Sequence, residues 1–243
     1  YRYDLIQVAL LDSFSASSAG VYALSENYLY TVEALQAVIG RLEPGGILAL
    51  TRWVQIPPRD SLKLFATAIR ALEASGVGEP GSRLAMVRSW RTVTILVKNG
   101  AWTGDDLDRL RNFCREHSFD AAYYPGMTRS EANRFNRLDE PWFFDGAAAL
   151  LSPKSGDFLR RYKFNLEPAT DDRPFFFNFF RWRTLPEFLS MRARGGMPLI
   201  EWGYIVLLAT FVQAVLLGFA FILLPMAVLR RKGLAKGGGR IGG

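Results

Sequence analysis

The apolar positions of this chain alternate between two periods over its first hundred residues. Residues 5–11 form a nearly continuous apolar run, broken only by Gln7. Such runs belong to strands covered on both faces in a parallel sheet. A polar loop follows, with Asp12, Ser13, Ser15, Ser17, Ser18 and Gly20. Residues 25–42 predict a helix, with Ser25 as N-cap and Tyr28, Val32, Leu35, Val38, Ile39 and Leu42 on one face. Pro44, Gly45 and Gly46 predict a turn, and residues 47–51 a second strand. Helical spacing returns over 62–72 and stops at the glycine-rich stretch 76–81. Two short strands, 84–89 and 92–97, meet at Trp90 and Arg91 as a hairpin. Alternating strands and helices predict a parallel sheet, and the hairpin predicts an antiparallel edge. The fold class is therefore α/β, one half of a doubly wound sheet.

Beyond residue 100 the signal weakens. Thr103 predicts the cap of a helix running to His117, with Asp105, Asp106 and Asp108 in its first turns, where the helix dipole favours acids. Short helices are predicted over 130–138 and 156–162, and aromatics crowd 174–182. Residues 202–229 then carry no charge, with Glu201 just before them and Arg230, Arg231 and Lys232 just after. About 20 apolar residues cross a bilayer core, so this window predicts a C-terminal transmembrane helix. Trp202 and Tyr204 suit an interfacial aromatic belt, and Pro225 marks a kink or an end. The expected organisation is a sheet domain over 1–100, a helical and irregular extension of it over 101–199, the membrane helix over 200–229 and a basic glycine-rich tail over 230–243, disordered from Gly237. The chain opens on Tyr-Arg-Tyr, almost directly with a strand, and is expected to be a fragment with upstream sequence missing.

Charge narrows the partners. Thirty Lys and Arg against 23 Asp and Glu give a formal net charge of +7. The basic residues are scattered except for those between Arg230 and Arg240. That cluster abuts the predicted span, so anionic lipid rather than nucleic acid is its expected partner. The only cysteine, Cys114, excludes an intrachain disulfide. It lies three residues from His117, the only histidine, and the two could share a helix face. Two ligands do not make a zinc site, and no metal is expected. Nucleophile activation by a histidine base would have to rest on His117 alone.

In open α/β sheets ligands bind beyond the carboxyl ends of the strands. Asp12 ends the first strand and Trp53 follows the second, so both fall in that zone. Asp12 is the best catalytic candidate by position, against the plainer role of a carboxylate that turns the backbone. Tyr3-Asp4-Leu5-Ile6 opens the first strand, Asp12-Ser13 closes it, and Glu26-Asn27-Tyr28 lies in the helix. With Leu42-Glu43-Pro44-Gly45-Gly46-Ile47-Leu48, this order resembles the spermidine synthase family, and more closely its membrane-embedded bacterial relatives. Thr170-Asp171-Asp172-Arg173-Pro174-Phe175, before the hydrophobic span, is similar to a stretch of those relatives.

The resemblance implies a Rossmann-like class I methyltransferase fold. It also implies aminopropyl transfer from decarboxylated S-adenosylmethionine, as co-substrate, to a small-molecule amine. Asp12 matches the family's catalytic Asp, as base and amine ligand, with Ser13 beside it as a donor contact. The family commonly has a second Asp three residues later, followed by Pro; here Ser15 and Ala16 stand there. Asp171 and Asp172 could replace the missing charge at the amine if the chain folds back over the strand ends; otherwise they form a solvated turn. The glycine-rich turn and acidic ribose ligand for the donor are expected on earlier strands. Two other readings stay open: an S-adenosylmethionine-dependent methyltransferase of the same fold, and a noncatalytic membrane scaffold or sensor.

The donor is made in the cytosol, which predicts an inner-membrane protein with its soluble domain cytoplasmic. The flanking charges point the other way: Arg230, Arg231, Lys232, Lys236 and Arg240 follow the span, whereas Arg183, Arg192 and Arg194 precede it.

Overall fold

Four apolar strands within the first hundred residues and a fifth at 120–123 pair into one sheet. The computed structural model describes residues 1–9, 25–184 and 202–237, with side chains of the last stretch described over 207–226. These residues fall into two units, a sheet-containing unit and a C-terminal helix, each taken by itself.

The strands are β1 (Tyr3–Val8), β2 (Leu42–Trp53), β3 (Leu84–Arg88), β4 (Thr92–Lys98) and β5 (Asp120–Tyr123), in the order β1-β2-β4-β3-β5. β1 and β2 are parallel neighbours, with Ile6 beside Leu48 and Val8 beside Leu50, as their apolar character and the helix between them predict. β4 is antiparallel to both β2 and β3, so β3 runs in the direction of β1 and β2. The hairpin forms where predicted, with Ser89 donating to the carbonyl of Thr92 at 2.8 Å. It is not the edge, however. β5 pairs antiparallel with β3 and lies outside it. Its four residues, Asp-Ala-Ala-Tyr, carry too little β-branched or apolar character to announce a strand.

Helices α1 (Val32–Ile39), α2 (Asp60–Ala74), α3 (Gly104–Glu116), α4 (Trp142–Leu151) and α5 (Ser155–Arg161) complete the unit. One sheet face presents Leu48, Leu50, Leu84, Met86, Val93, Ile95 and Val97, all buried. α1 and α2 pack together against β2, and Phe65 of α2 meets Tyr123 of β5 edge-on at 5.5 Å. α3 covers part of the opposite face, where Leu110 and Cys114 join Ala85, Val87 and Tyr124. Thr103 caps α3 through a capping box with Asp106. β1 itself is exposed, with Leu5 at 60%, against the two-sided burial its apolar run suggests.

Local chemistry moves several predicted boundaries. The helix expected over 25–42 is a single 3-10 turn, Tyr28–Tyr30, followed by α1; Thr31, not Ser25, caps α1 by accepting from the amide of Ala34 at 3.2 Å. Pro44, Gly45 and Gly46 are not a turn between elements but an irregularity inside β2, where the β1–β2 register shifts. Gly45 takes φ +82° there, and a Cβ on Gly46 would lie 2.8 Å from the carbonyl oxygen of Tyr3, so only glycine fits this approach. Residues 130–138 are not a helix beyond the 3-10 turn Arg129–Glu131. They are instead gathered by Asp120, whose carboxylate accepts from the amides of Arg134 (2.6 Å), Phe135 (2.8 Å) and Asn136 (2.8 Å). α4 is not among the elements that the apolar pattern predicts; its Gly146 lets it approach Leu62 of α2, whose Cδ1 would be 2.5 Å from an added Cβ.

The C-terminal unit is one helix, α6 (Trp202–Gly237), and Pro225 lies inside it rather than at its end. Its stretch Leu207–Met226 has mean hydropathy 2.5 and is long and apolar enough to cross a membrane. Twenty residues at about 1.5 Å rise match a hydrocarbon core of about 30 Å.

The Asp120 carboxylate also pairs with Arg88 at 2.8 Å, both side chains being almost fully buried. Removing one partner strands a buried charge and three backbone donors, so Asp120→Ala is expected to lower the unfolding free energy by about 3–5 kcal/mol. Urea unfolding of the protein measures this, and a loss under about 1 kcal/mol would contradict the role assigned to the pair.

Candidate functional site at the carboxyl edge of the sheet

The shared direction of β1, β2 and β3 puts their carboxyl ends on one edge, where an open α/β sheet binds ligands. Arg52 lies one residue before the end of β2 and faces the helices with Leu48 and Leu50. Its guanidinium donates to the hydroxyl of Tyr30 at 3.1 Å and to Asp60 Oδ2 at 3.1 Å, with Arg52 only 2% exposed. It also lies over the rings of Tyr30 and Phe177, each at 5.1 Å, and of Phe176 at 5.9 Å. Such stacking suits a planar, weakly hydrated cation. Asp60 opens α2, where the helix dipole favours an acid, and its Oδ1 lies 3.6 Å from Arg59 Nε.

Lys63, one turn along α2, is equally buried. Its ammonium donates to the carbonyls of Phe175 (3.3 Å) and Asn178 (3.1 Å) and sits 5.1 Å from the Phe179 ring centre and 5.6 Å from that of Phe176. Burial pulls its pKa down to about 7, against the opposing fields of Asp60 and Glu167 and with that of Arg181.

These contacts bend the Phe-rich segment across the strand edge. The amide of Val32 donates to the carbonyl of Ala169 at 2.9 Å, and the amide of Asn27 to that of Pro174 at 2.7 Å. The chain therefore turns back beside the start of α1, with Asp171 and Asp172 in the returning stretch. Both are exposed at the tip of a tight turn closed by the Arg173 amide on the Thr170 carbonyl at 2.9 Å. The Asp171 amide donates to Glu33 Oε2 at 3.0 Å. The Tyr28 hydroxyl donates to Glu26 at 2.9 Å, and its pKa is raised by that bond, with the charges of Glu26 and Asp171 adding to it. Glu26, Glu33, Asp171 and Asp172 thus line an exposed acidic rim beside the start of α1.

Asp12 and Ser13 lie outside the described residues, as do Ser15 and Ala16. β1 ends at Val8, paired with Leu50, and the chain is described one residue further, to Ala9. Trp53 ends β2, paired with Thr92. The buried Arg52, Asp60 and Lys63 escaped the sequence reading because charged residues in a helical or strand pattern ordinarily face water. The signal that could have found them is Arg52 immediately after four apolar or small strand residues, with three phenylalanines at 175–177 to receive it.

Cys114 and His117 do not share an environment. Cys114 is buried, its thiol pushed up to about 11 by that burial, whereas His117 is exposed and stacks on Phe113 at 4.5 Å. Among the described residues no group of three or more His, Cys, Asp or Glu is placed to hold a metal ion.

Lys63 makes stability depend on pH. Between pH 7 and 10.5 the unfolded chain keeps a proton that the folded chain releases, so stability rises with pH through this window. Lys63→Met is expected to flatten that rise, read as thermal midpoint against pH. An unchanged slope would exclude Lys63 as its source. No family model, curated protein or solved structure matches the chain.

Proposed function

We propose that this protein is a membrane-anchored transferase of the spermidine synthase type, working at the carboxyl edge of a Rossmann-like methyltransferase sheet. The observation that carries the reading is the strand order. Two parallel strands bridged by a helix stand beside a hairpin whose second strand inserts antiparallel between β2 and β3. This agrees with the fold that the Asp12-Ser13 and Pro44-Gly45-Gly46-Ile47-Leu48 elements resemble. The acidic rim supports a cationic acceptor, because several exposed carboxylates together concentrate a polyamine-type dication.

In this reading the acceptor amine attacks the carbon beside the sulfonium of decarboxylated S-adenosylmethionine. A carbon–nitrogen bond forms, the carbon–sulfur bond breaks, and its electron pair leaves on sulfur as a neutral thioether. The ammonium proton must go to a base, since an alkylamine has an ordinary pKa of about 10.4. Asp12 takes that proton and Ser13 contacts the donor. Asp171 and Asp172 hold the distal ammonium of the acceptor. α6 crosses the membrane, and the sheet-containing unit faces the cytosol, where the donor is made.

Three measurements in membranes carrying the protein test this. Asp12→Asn is expected to lower kcat by about 10²–10⁴. Asp171→Asn with Asp172→Asn is expected to raise KM for the amine about tenfold while changing kcat little. Labelled decarboxylated donor should yield an aminopropylated amine. Methyl transfer from S-adenosylmethionine, with no product from the decarboxylated donor, would replace the reading with a methyltransferase.

A further inference from the structure

The carboxyl end of α5 forms a second charged corner that the transferase reading does not use. A short helix leaves carbonyls without partners at its end, and here arginines supply them. Arg181 donates to the carbonyls of Arg160 (3.0 Å) and Leu159 (2.7 Å), and Arg183 donates to that of Tyr162. Thr184 Oγ1 closes the turn on the carbonyl of Arg181 at 2.7 Å. These bonds go to neutral carbonyls and leave the guanidinium charges in place, with Glu167 the acid whose field is felt at Arg181. Arg161 and Arg183 are exposed, while Arg160 is the one paired with an acid, Asp157. The field is positive enough that Arg183 adds to burial in lowering the Arg181 pKa, with Glu167 opposing it.

Trp182 sits in the middle of this corner. It packs edge-on against Phe180 at 5.3 Å yet is 60% exposed. A largely exposed indole that packs on a neighbouring ring and stands in sequence between Arg181 and Arg183 has the chemistry of a headgroup-level anchor. The chain passes from Thr184 to α6 through only seventeen intervening residues, 185–201. With α6 in a membrane, a link of that length would keep any surface just before it within reach of lipid.

We infer that this corner of the sheet-containing unit docks on anionic phospholipid headgroups, with Trp182 at headgroup level and Arg161 and Arg183 over the phosphates. The inference rests on α6 entering a membrane, and its test separates the two. Arg160→Cys, an exposed position of the same corner whose charge is already paired with Asp157, carries a nitroxide label in a Cys114→Ser background, and the full chain is reconstituted into phosphatidylcholine vesicles with or without phosphatidylglycerol. With phosphatidylglycerol present, the label is expected to become more accessible to oxygen than to an aqueous nickel chelate. About 1 M salt, which shortens the Debye length to about 3 Å, should reverse this. Arg161→Gln and Arg183→Gln should each weaken the phosphatidylglycerol dependence about fivefold. A label at Asp108→Cys, on α3 across the sheet, should stay in water in both lipids. If the protein floats with the vesicles but the label at position 160 stays equally water-accessible with and without phosphatidylglycerol, the inference is overturned. If the protein does not float with them, the membrane reading of α6 falls, and this inference with it.

Discussion

The burial of Arg52 is the constraint around which the carboxyl edge of the sheet is organised. A guanidinium at 2% exposure survives only if its charge and its donors are met inside the protein, because desolvating an ion costs several kcal/mol. Its partners come from separate parts of the chain: Tyr30 just before α1, Asp60 at the start of α2, and Phe176 and Phe177 in the returning segment. None of these is a sequence neighbour of β2's end. Each must arrive before the arginine is stable, so the strand, both helix entrances and the Phe-rich return are coupled to one another. Lys63 repeats the device one turn along α2, spending its hydrogen bonds on the backbone of the same segment.

That coupling fixes where the acids go. Because Phe176 is drawn down onto Arg52 and Lys63, the preceding turn is lifted to the surface with Asp171 and Asp172 at its tip. The Asp171 amide then meets Glu33. A buried cationic floor and an exposed anionic rim are thus two sides of one chain reversal. The floor rings are also mutually packed, Tyr30 against Phe176 at 4.8 Å and Phe176 against Phe177 at 5.1 Å. Such aromatic pairs add roughly 0.5–1.5 kcal/mol each beyond their burial.

Much of the sheet was legible in the sequence, and the reasons are physical. The existence of β1 to β4 is legible because each is dense in branched or aliphatic residues, although β2 begins five residues before the expected strand and β1 lacks the expected two-sided burial. α3 read correctly because Thr103 and Asp106 form a capping box, a signal that depends on two neighbouring residues alone. β5 was invisible for the opposite reason. It exists because Asp120 is pinned by Arg88 and three backbone amides, contacts made across 14 to 32 residues of sequence. The proline-glycine-glycine element misled in another way: the same residues that end strands also permit the register shift inside β2. The candidate site divides likewise. The rim acids were legible as charges, but the fold-back that brings Asp171 beside Glu33 depends on aromatic burial that no local pattern encodes. Asp12 and Ser13 rest on sequence position and resemblance, since they fall outside the described residues.

The formal charge of +7 also means something different once the interior is known. Arg52, Arg59, Lys63, Arg88 and Lys98 are buried, and so are the acids Asp60 and Asp120. Three of the seven net positive charges therefore lie inside the sheet-containing unit, where they set helix entrances and loop positions rather than attract partners. Lys63, with its pKa near neutrality, contributes only part of one of them. The remaining surface is closer to neutral than the composition implies, which weakens any argument for a broad electrostatic partner such as nucleic acid. What is left is uneven: carboxylates gather beside α1, and guanidinium groups gather at the end of α5. The proposed cationic acceptor and the proposed anionic lipid surface would each meet a field of the fitting sign in that segregation. A uniformly basic surface would repel the first while binding the second.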